Sequence, residues 1–226
     1  MKYKALLLDI DDTLYCYDSA HSAANKSVID FFKDELNIDE TTVISTYKEA
    51  RKKTHIDLSE TAASHNRLLY LQKICESLEI NPLKNAVKLY NLYWNIYLEN
   101  LKPFDGVYDL LKKYNQNICF VTDLTAHIQY RKIEKLKCYD YSKTIVTSEE
   151  AGKEKPHPFI FMLALQKLKK SANEVCMIGD SFKKDILGAN NLGINSIWFN
   201  HKKKHEGYEC AAIKEVSTFS DILRFV

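Results

Sequence analysis

The stretch Ala5-Leu6-Leu7-Leu8-Asp9-Ile10-Asp11-Asp12-Thr13-Leu14 is an apolar run that stops at three carboxylates and a threonine. The pattern recurs. Ile118-Cys119-Phe120-Val121 ends at Thr122, and Val175-Cys176-Met177-Ile178 ends at Gly179-Asp180-Ser181, with Asp185 beyond. Between them stands Gly152-Lys153-Glu154-Lys155-Pro156. Short uninterrupted apolar runs suit strands buried on both faces of a parallel sheet. Polar residues at their ends then lie at the carboxyl edge, where open α/β sheets bind ligands.

Working outward, the segment from 18 to 102 holds no glycine and one proline, Pro82, as expected of long helices. Val28, Phe31, Phe32 and Leu36 keep helical spacing, as do Leu68, Leu71, Ile74, Cys75 and Leu78. Asn81-Pro82 marks a helix start that runs through Val87, Tyr90, Trp94 and Leu98. The spacing predicts helices over 19–36, 40–53, 59–79 and 82–99. From 103 onward helices (106–115, 125–137, 157–169, 182–191) alternate with strands (117–122, 143–147, 174–179, 195–199), which argues βαβ units. The strand at 3–9 joins the same sheet. The expected fold is α/β: a Rossmann-like parallel sheet core, residues 1–17 and 101–226, with an inserted all-helical cap at 18–100.

Composition sets outer bounds. The 226 residues are 46% hydrophobic and 27% charged, with a net charge of +2, ordinary for a globular protein. Nothing in that balance calls for nucleic acid or a membrane surface, and Lys202-Lys203-Lys204 reads as a solvated loop. The six cysteines form no CxxC pair, which argues against zinc and for reduced thiols in a cytoplasmic protein. A stretch of about 20 apolar residues, long enough for a membrane helix, is missing.

The residues at the sheet edge suit phosphoryl transfer. Asp9 is the candidate nucleophile, because a carboxylate can carry the phosphoryl group as an acyl phosphate and split one hard step into two. Asp11, two residues on, is the candidate acid and base. Thr122 and Lys155 would bind the phosphoryl oxygens; Pro156 favours Lys155 over Lys153 for this role. Asp180 would hold a metal, and Asp185 would orient Lys155 or support the metal's water shell. Four carboxylates and a dianionic ester cannot share one mouth uncompensated: like charges about 4 Å apart repel by roughly 4 kcal/mol at an effective dielectric of 20. A hard, oxygen-loving divalent ion, Mg²⁺, answers that charge.

These four motifs, Asp9-Ile10-Asp11-Asp12-Thr13-Leu14, Thr122, Lys155-Pro156 and Gly179-Asp180-Ser181-Phe182-Lys183-Lys184-Asp185, resemble in order and spacing those of the haloacid-dehalogenase-like (HAD) hydrolase superfamily, in the subgroup with a helical cap between the first two motifs. The resemblance covers about 1–15 and 103–226. It implies Asp9 as nucleophile, Asp11 as acid and base, Thr122 and Lys155 as phosphate ligands, and Mg²⁺ held by Asp9, the main-chain carbonyl of Asp11, and Asp180. Two positions depart from the pattern: Asp12 where glycine is frequent, and Asp123 where asparagine is frequent. Asp11 points to a phosphatase, since the metal-free dehalogenases lack that acid. The expected activity is Mg²⁺-dependent hydrolysis of a small phosphorylated metabolite. Alternatives on the same constellation are a phosphomutase and, in another class, a phosphoacceptor or silent binding protein without turnover.

Other residues have plainer readings. Arg51, His55, His65 and Arg67 are candidates for a distal anion but suit solvated helix faces. Cys16 reads as a bystander thiol and His157 as a helix start. Tyr90, Tyr93, Trp94 and Tyr97 read as cap core.

Overall fold

The structure, a computed structural model, describes residues 2–205 and 213–226. The chain divides into two compact units: 1–16 with 102–226, and 17–101.

The first unit is built on a parallel sheet. β1 (Ala5–Leu8) is buried at every residue. After β1 the chain leaves for the helical unit, which comprises α1 (Tyr17–Leu36), α2 (Glu40–Asp57), α3 (Arg67–Ser77) and α4 (Pro82–Glu99). It returns through α5 (Val107–Lys113), β2 (Ile118–Thr122), α6 (Ala126–Lys135), β3 (Thr144–Thr147) and the short α7 (Ser148–Ala151). Next come α8 (Pro158–Leu168), β4 (Val175–Gly179), a π-type helix (Phe182–Leu187), the single turn α9 (Gly188–Asn190), β5 (Asn195–Phe199), β6 (Lys214–Val216) and α10 (Phe219–Phe225).

The strand order is β3-β2-β1-β4-β5-β6, all parallel, so β1 lies between β2 and β4. Leu6 pairs with Ile118 on one side and Cys176 on the other. The chain moves outward from β1 to β3, then crosses back to β4, so the direction of winding reverses beside β1. That reversal opens the crevice where such sheets bind ligands. One face of the sheet packs Leu7, Val121, Val146 and Met177 against Ile160, Phe161 and Ala164 of α8. Each such large apolar side chain contributes about 1.5–3 kcal/mol by leaving water. The sheet matches the expectation, with one addition, the strand β6. Its Lys214 and Glu215 are exposed and only Val216 is buried, so the segment lacks an apolar run.

In the helical unit α1 packs on α2 and α4, and α3 packs on α2 and α4. Asp39 caps α2 by accepting from Thr42 N, and Asn81 caps α4 by accepting from Leu83 N, with Pro82 in the first turn. The predicted helix over 59–79 is in fact two pieces. A 3₁₀ turn, Ala62–His65, precedes α3, and Asn66 between them is extended and accepts from Leu68 N. An asparagine whose side chain caps one helix takes an extended backbone there, which stops the helical run before it. On α4 the buried face runs through Ala86, Leu89, Tyr93, Trp94 and Tyr97, while Val87 is exposed. A helix with aromatics on several sides leaves the phase of the apolar stripe ambiguous from spacing alone.

In the first unit the helix expected over 182–191 begins with the π-type turns of Phe182–Leu187, where Ile186 N donates to Ser181 O at 3.4 Å. No helix is long and apolar enough to cross a membrane among the described residues. Cys16, Cys75, Cys119, Cys138 and Cys176 are free thiols; Cys210 lies outside the described residues.

Candidate active site

The ladder between β1 and β4 continues one residue past β1, because Asp9 N donates to Ile178 O at 3.0 Å. This pins Asp9 at the carboxyl edge. The chain then turns sharply through Asp12, whose φ of 61° is left-handed. Glycine takes that conformation freely and aspartate at small cost, which accounts for an acid at this position.

Asp9 is nearly buried, and both its carboxylate oxygens are engaged. Thr13 Oγ1 donates to Oδ2 at 2.9 Å, and Lys155 Nζ lies 2.6 Å from Oδ1. The same ammonium donates to Asp185 Oδ1 at 2.6 Å and to Val121 O at 3.1 Å. Lys155 therefore reaches both carboxylates. Asp185 is fixed in turn by Ser181 N, which donates to Oδ2 at 2.9 Å. Asp180 N donates to Thr13 Oγ1 at 3.1 Å, so Thr13 joins the ends of β1 and β4.

Carboxylate oxygens of Asp9, Asp180 and Asp185 lie within 4.8 Å of one another. An all-oxygen donor set of this size fits a hard divalent cation. The electrostatics agree. Burial pushes Asp9 up to about 7, despite Lys155, with Asp185 and Asp11 adding to the rise. Burial and then Asp9 push Asp180 up to about 6 against the pull of Lys204. Burial also raises Asp185. Burial disfavours a charged Lys155, but Asp185 and Asp9 outweigh it and hold the ammonium well above its usual range. Three crowded carboxylates met by two lysines, Lys155 and Lys204, are short of positive charge, which a bound cation supplies.

Asp11 is oriented differently. Its carboxylate turns toward α6, where Lys132 Nζ lies 2.5 Å away and Gln129 Nε2 donates at 2.8 Å. The Tyr15 hydroxyl donates to it as well. Burial works against its ionisation, but the charge of Lys132 and these hydrogen bonds hold Asp11 below the usual carboxylate range. Thr122 is buried at the end of β2, and its hydroxyl donates to Asp123 O at 3.3 Å. Asp123 accepts from Lys155 N at 2.9 Å and pairs with Lys184 at 2.7 Å.

Sequence reasoning missed Lys132 and Gln129. The available signal was their position on the same face of α6 as the apolar Ile128 and Ile133. It also took Lys202 and Lys204 for solvated loop residues. Lys202 pairs with Asp12 at 2.5 Å and Lys204 with Asp180 at 3.1 Å. Spacing in sequence gave no hint, since the acids they meet come from other strands. His157 caps α8, accepting from Phe159 N at 3.2 Å.

The chain belongs to the haloacid dehalogenase-like hydrolase family, whose model matches residues 6–199. It is 32% identical to the ribulose-1,5-bisphosphate 5-phosphatase of Halopiger xanaduensis over 92% of this chain and 89% of that protein. It is 28% identical to the glyceraldehyde 3-phosphate phosphatase of Methanothermobacter thermautotrophicus over 97% of this chain and 99% of that one. The fold is similar to that of the HAD hydrolase YfnB of Bacillus subtilis, solved bound to magnesium, with a TM-score of 0.75 at 21% identity across 100% of this chain and 99% of that one.

Proposed function

We propose that this chain is a Mg²⁺-dependent phosphatase that hydrolyses a small phosphorylated metabolite through an aspartyl-phosphate on Asp9. The observation that supports this most is Lys155 Nζ, 2.6 Å from both Asp9 and Asp185, beside Asp180 at the point where the sheet's winding reverses. The named activities of the two phosphatases similar in sequence support a phosphorylated sugar as substrate.

In this reading a carboxylate oxygen of Asp9 attacks phosphorus, and the bond from phosphorus to the substrate oxygen breaks. Asp11 gives its proton to the departing alkoxide. Its carboxylate then takes a proton from the water that attacks the acyl phosphate, releasing inorganic phosphate and restoring Asp9. The net reaction is ester plus water to alcohol plus phosphate. The arrangement around Asp11 suits the second half: held ionised by Lys132, it is ready as a base. To act first as an acid it has to swing away from Lys132 and take up a proton. Lys155 and Thr122 hold the transferring oxygens, and Thr13 keeps Asp9 and Asp180 in register. Asp9, Asp180 and the main-chain carbonyl of Asp11 would hold Mg²⁺, with Asp185 supporting. The ion supplies charge neutralisation for the phosphoryl group.

Five free cysteines among the described residues, four of them buried, support a cytoplasmic setting. The test is phosphate release across a panel of sugar phosphates and nucleotides with Mg²⁺, by the parent chain and Asp9→Asn. Many turnovers by the parent and none above background by the variant are expected. A stable, stoichiometric label on the parent without turnover would remove the phosphatase reading, and turnover by Asp9→Asn would remove Asp9 from it.

A further inference from the structure

The chain after β5 closes a turn that aims a lysine back at the sheet edge. Asn200, 3% exposed, locks that turn. Its main-chain N–H donates to Val216 O of β6 at 2.8 Å, and its Nδ2 donates to Glu215 Oε1 at 2.6 Å. The same Nδ2 donates to Lys204 O at 2.9 Å, while Oδ1 accepts from Lys204 N at 2.8 Å. Lys203 N donates to Asn200 O at 3.1 Å, and Lys203 takes a left-handed φ of 52°. A buried amide that holds both main-chain groups of one residue fixes where its side chain starts. From there Lys204 Nζ reaches Asp180 Oδ2 at 3.1 Å.

Asp180 is the other anchored end. Its N–H donates to Thr13 Oγ1 at 3.1 Å, and its carbonyl accepts from Trp198 Nε1 at 2.8 Å. The Asp180 side chain is 14% exposed and that of Lys204 41%, so the lysine alone has room to leave. Asp180 also brings a carboxylate oxygen within 4.8 Å of oxygens of Asp9 and Asp185, the set suited to a divalent cation. One carboxylate is thus shared between an ammonium and the place of that ion. An ion pair open to water is given up at small cost, whereas a divalent ion draws on several carboxylates at once. Whichever oxygen of Asp180 the ion takes, an ammonium left beside the other stands inside the screening length of about 10 Å and repels it.

We propose, on the Mg²⁺-dependent reading above, that Lys204 is a displaceable counter-ion: it competes with the divalent cation for Asp180, and the cation's arrival drives the ammonium out. Asn200 holds the main chain through the exchange, so only the side chain swings. A lysine that merely oriented Asp180 for the metal would help the cation bind, so the two roles differ in sign.

Mg²⁺ binding is measured by isothermal titration calorimetry at low salt, on the full chain without substrate. Lys204→Met should bind Mg²⁺ roughly threefold tighter than the parent or more, the scale of a lost ion pair of this exposure. Lys204→Arg keeps the charge and should bind like the parent; tightening equal to that of the Met variant overturns the proposal. Lys203→Met removes the same charge from an exposed neighbour and should bind within about twofold of the parent. Equal tightening there makes the effect one of net charge and overturns the proposal. Unchanged binding by Lys204→Met overturns it too, and weaker binding assigns Lys204 to orienting Asp180 instead. Thermal melts give a second readout: at one fixed Mg²⁺ concentration the gain over EDTA should be larger in Lys204→Met than in the parent, and equal gains overturn the competition. A parent that binds no Mg²⁺ removes the metal-dependent function and this inference together; a parent that binds it, with Lys204→Met unchanged, removes this inference alone.

Discussion

A β-carbon on Gly179 would stand 2.3 Å from Asp185 Oδ2, and this is the reason β4 ends in glycine. The carboxylate of Asp185 occupies the space a side chain would fill, and from there it reaches Lys155. Gly179→Ala should push Asp185 aside and let Lys155 drift from Asp9. Displacing a positioned group by about 1 Å costs on the order of 10²-fold in rate, so kcat should fall by about that factor with far less change in KM. Steady-state kinetics on the best substrate decide it; an unchanged kcat means that Asp185 does not position Lys155.

Cation binding should stabilise the fold. The crowded oxygens of Asp9, Asp180 and Asp185 repel one another when no cation lies between them. Mg²⁺ at about 100 times its dissociation constant should add about 2.7 kcal/mol. Thermal melts with Mg²⁺ and with EDTA test this, and Asp180→Asn should flatten the response. EDTA should also stop turnover, with Mg²⁺ restoring it.

Lys132→Met should alter the pH dependence of the reaction. Lys132 is the chief group holding Asp11 below the usual range against its burial. Without it the Asp11 carboxyl rises, so the limb of the pH–rate profile on which Asp11 must be ionised moves to higher pH. The rate at neutral pH should drop roughly tenfold, part of the 10²–10⁴-fold that acid–base catalysis supplies. A profile that keeps its limbs while the rate falls assigns Lys132 to packing alone.

His21 makes the helical unit acid-sensitive. It falls from its ordinary 6.5 to about 4 in the folded chain, first by burial and then by Arg67 and Arg51. Above pH 6.5 it is neutral in both states and has no effect on the balance. Between about 6.5 and 4 the unfolded chain takes up a proton that the folded chain refuses, so stability falls as pH falls. Urea unfolding across that window should show a slope that is shallower in His21→Asn; equal slopes would exonerate this histidine.

The sheet was readable because its three central strands are uninterrupted apolar runs that stop at polar residues: Leu8 before Asp9, Val121 before Thr122, Ile178 before Gly179-Asp180. β6 escaped because an edge strand with one buried residue leaves no such run. The carboxylates that gather at the sheet edge were visible as residue types, since motif spacing carries which acids come near each other. Where each side chain points was not visible. Asp11 turns to Lys132 and Gln129 because a helix 118 and more residues away offers it better partners, and no local pattern encodes that. Arg67 misled for the same reason. A charged residue on a helix is solvated by default, and its burial depends on tyrosines contributed by α1, α3 and α4.

The central position of β1 has a consequence for the newborn chain. Its two sheet neighbours, Ile118–Thr122 and Val175–Gly179, emerge from the ribosome long after it does. The helices of 17–101 pack on one another within one contiguous stretch and can form while Ala5–Leu8 waits unpaired. An apolar tetrapeptide thus stays unpaired until β2 has been made, and Asp9 acquires its lysine only once residue 155 has been made. Pausing synthesis between residues 101 and 118 leaves the helical stretch complete while β1 still lacks both of its sheet neighbours.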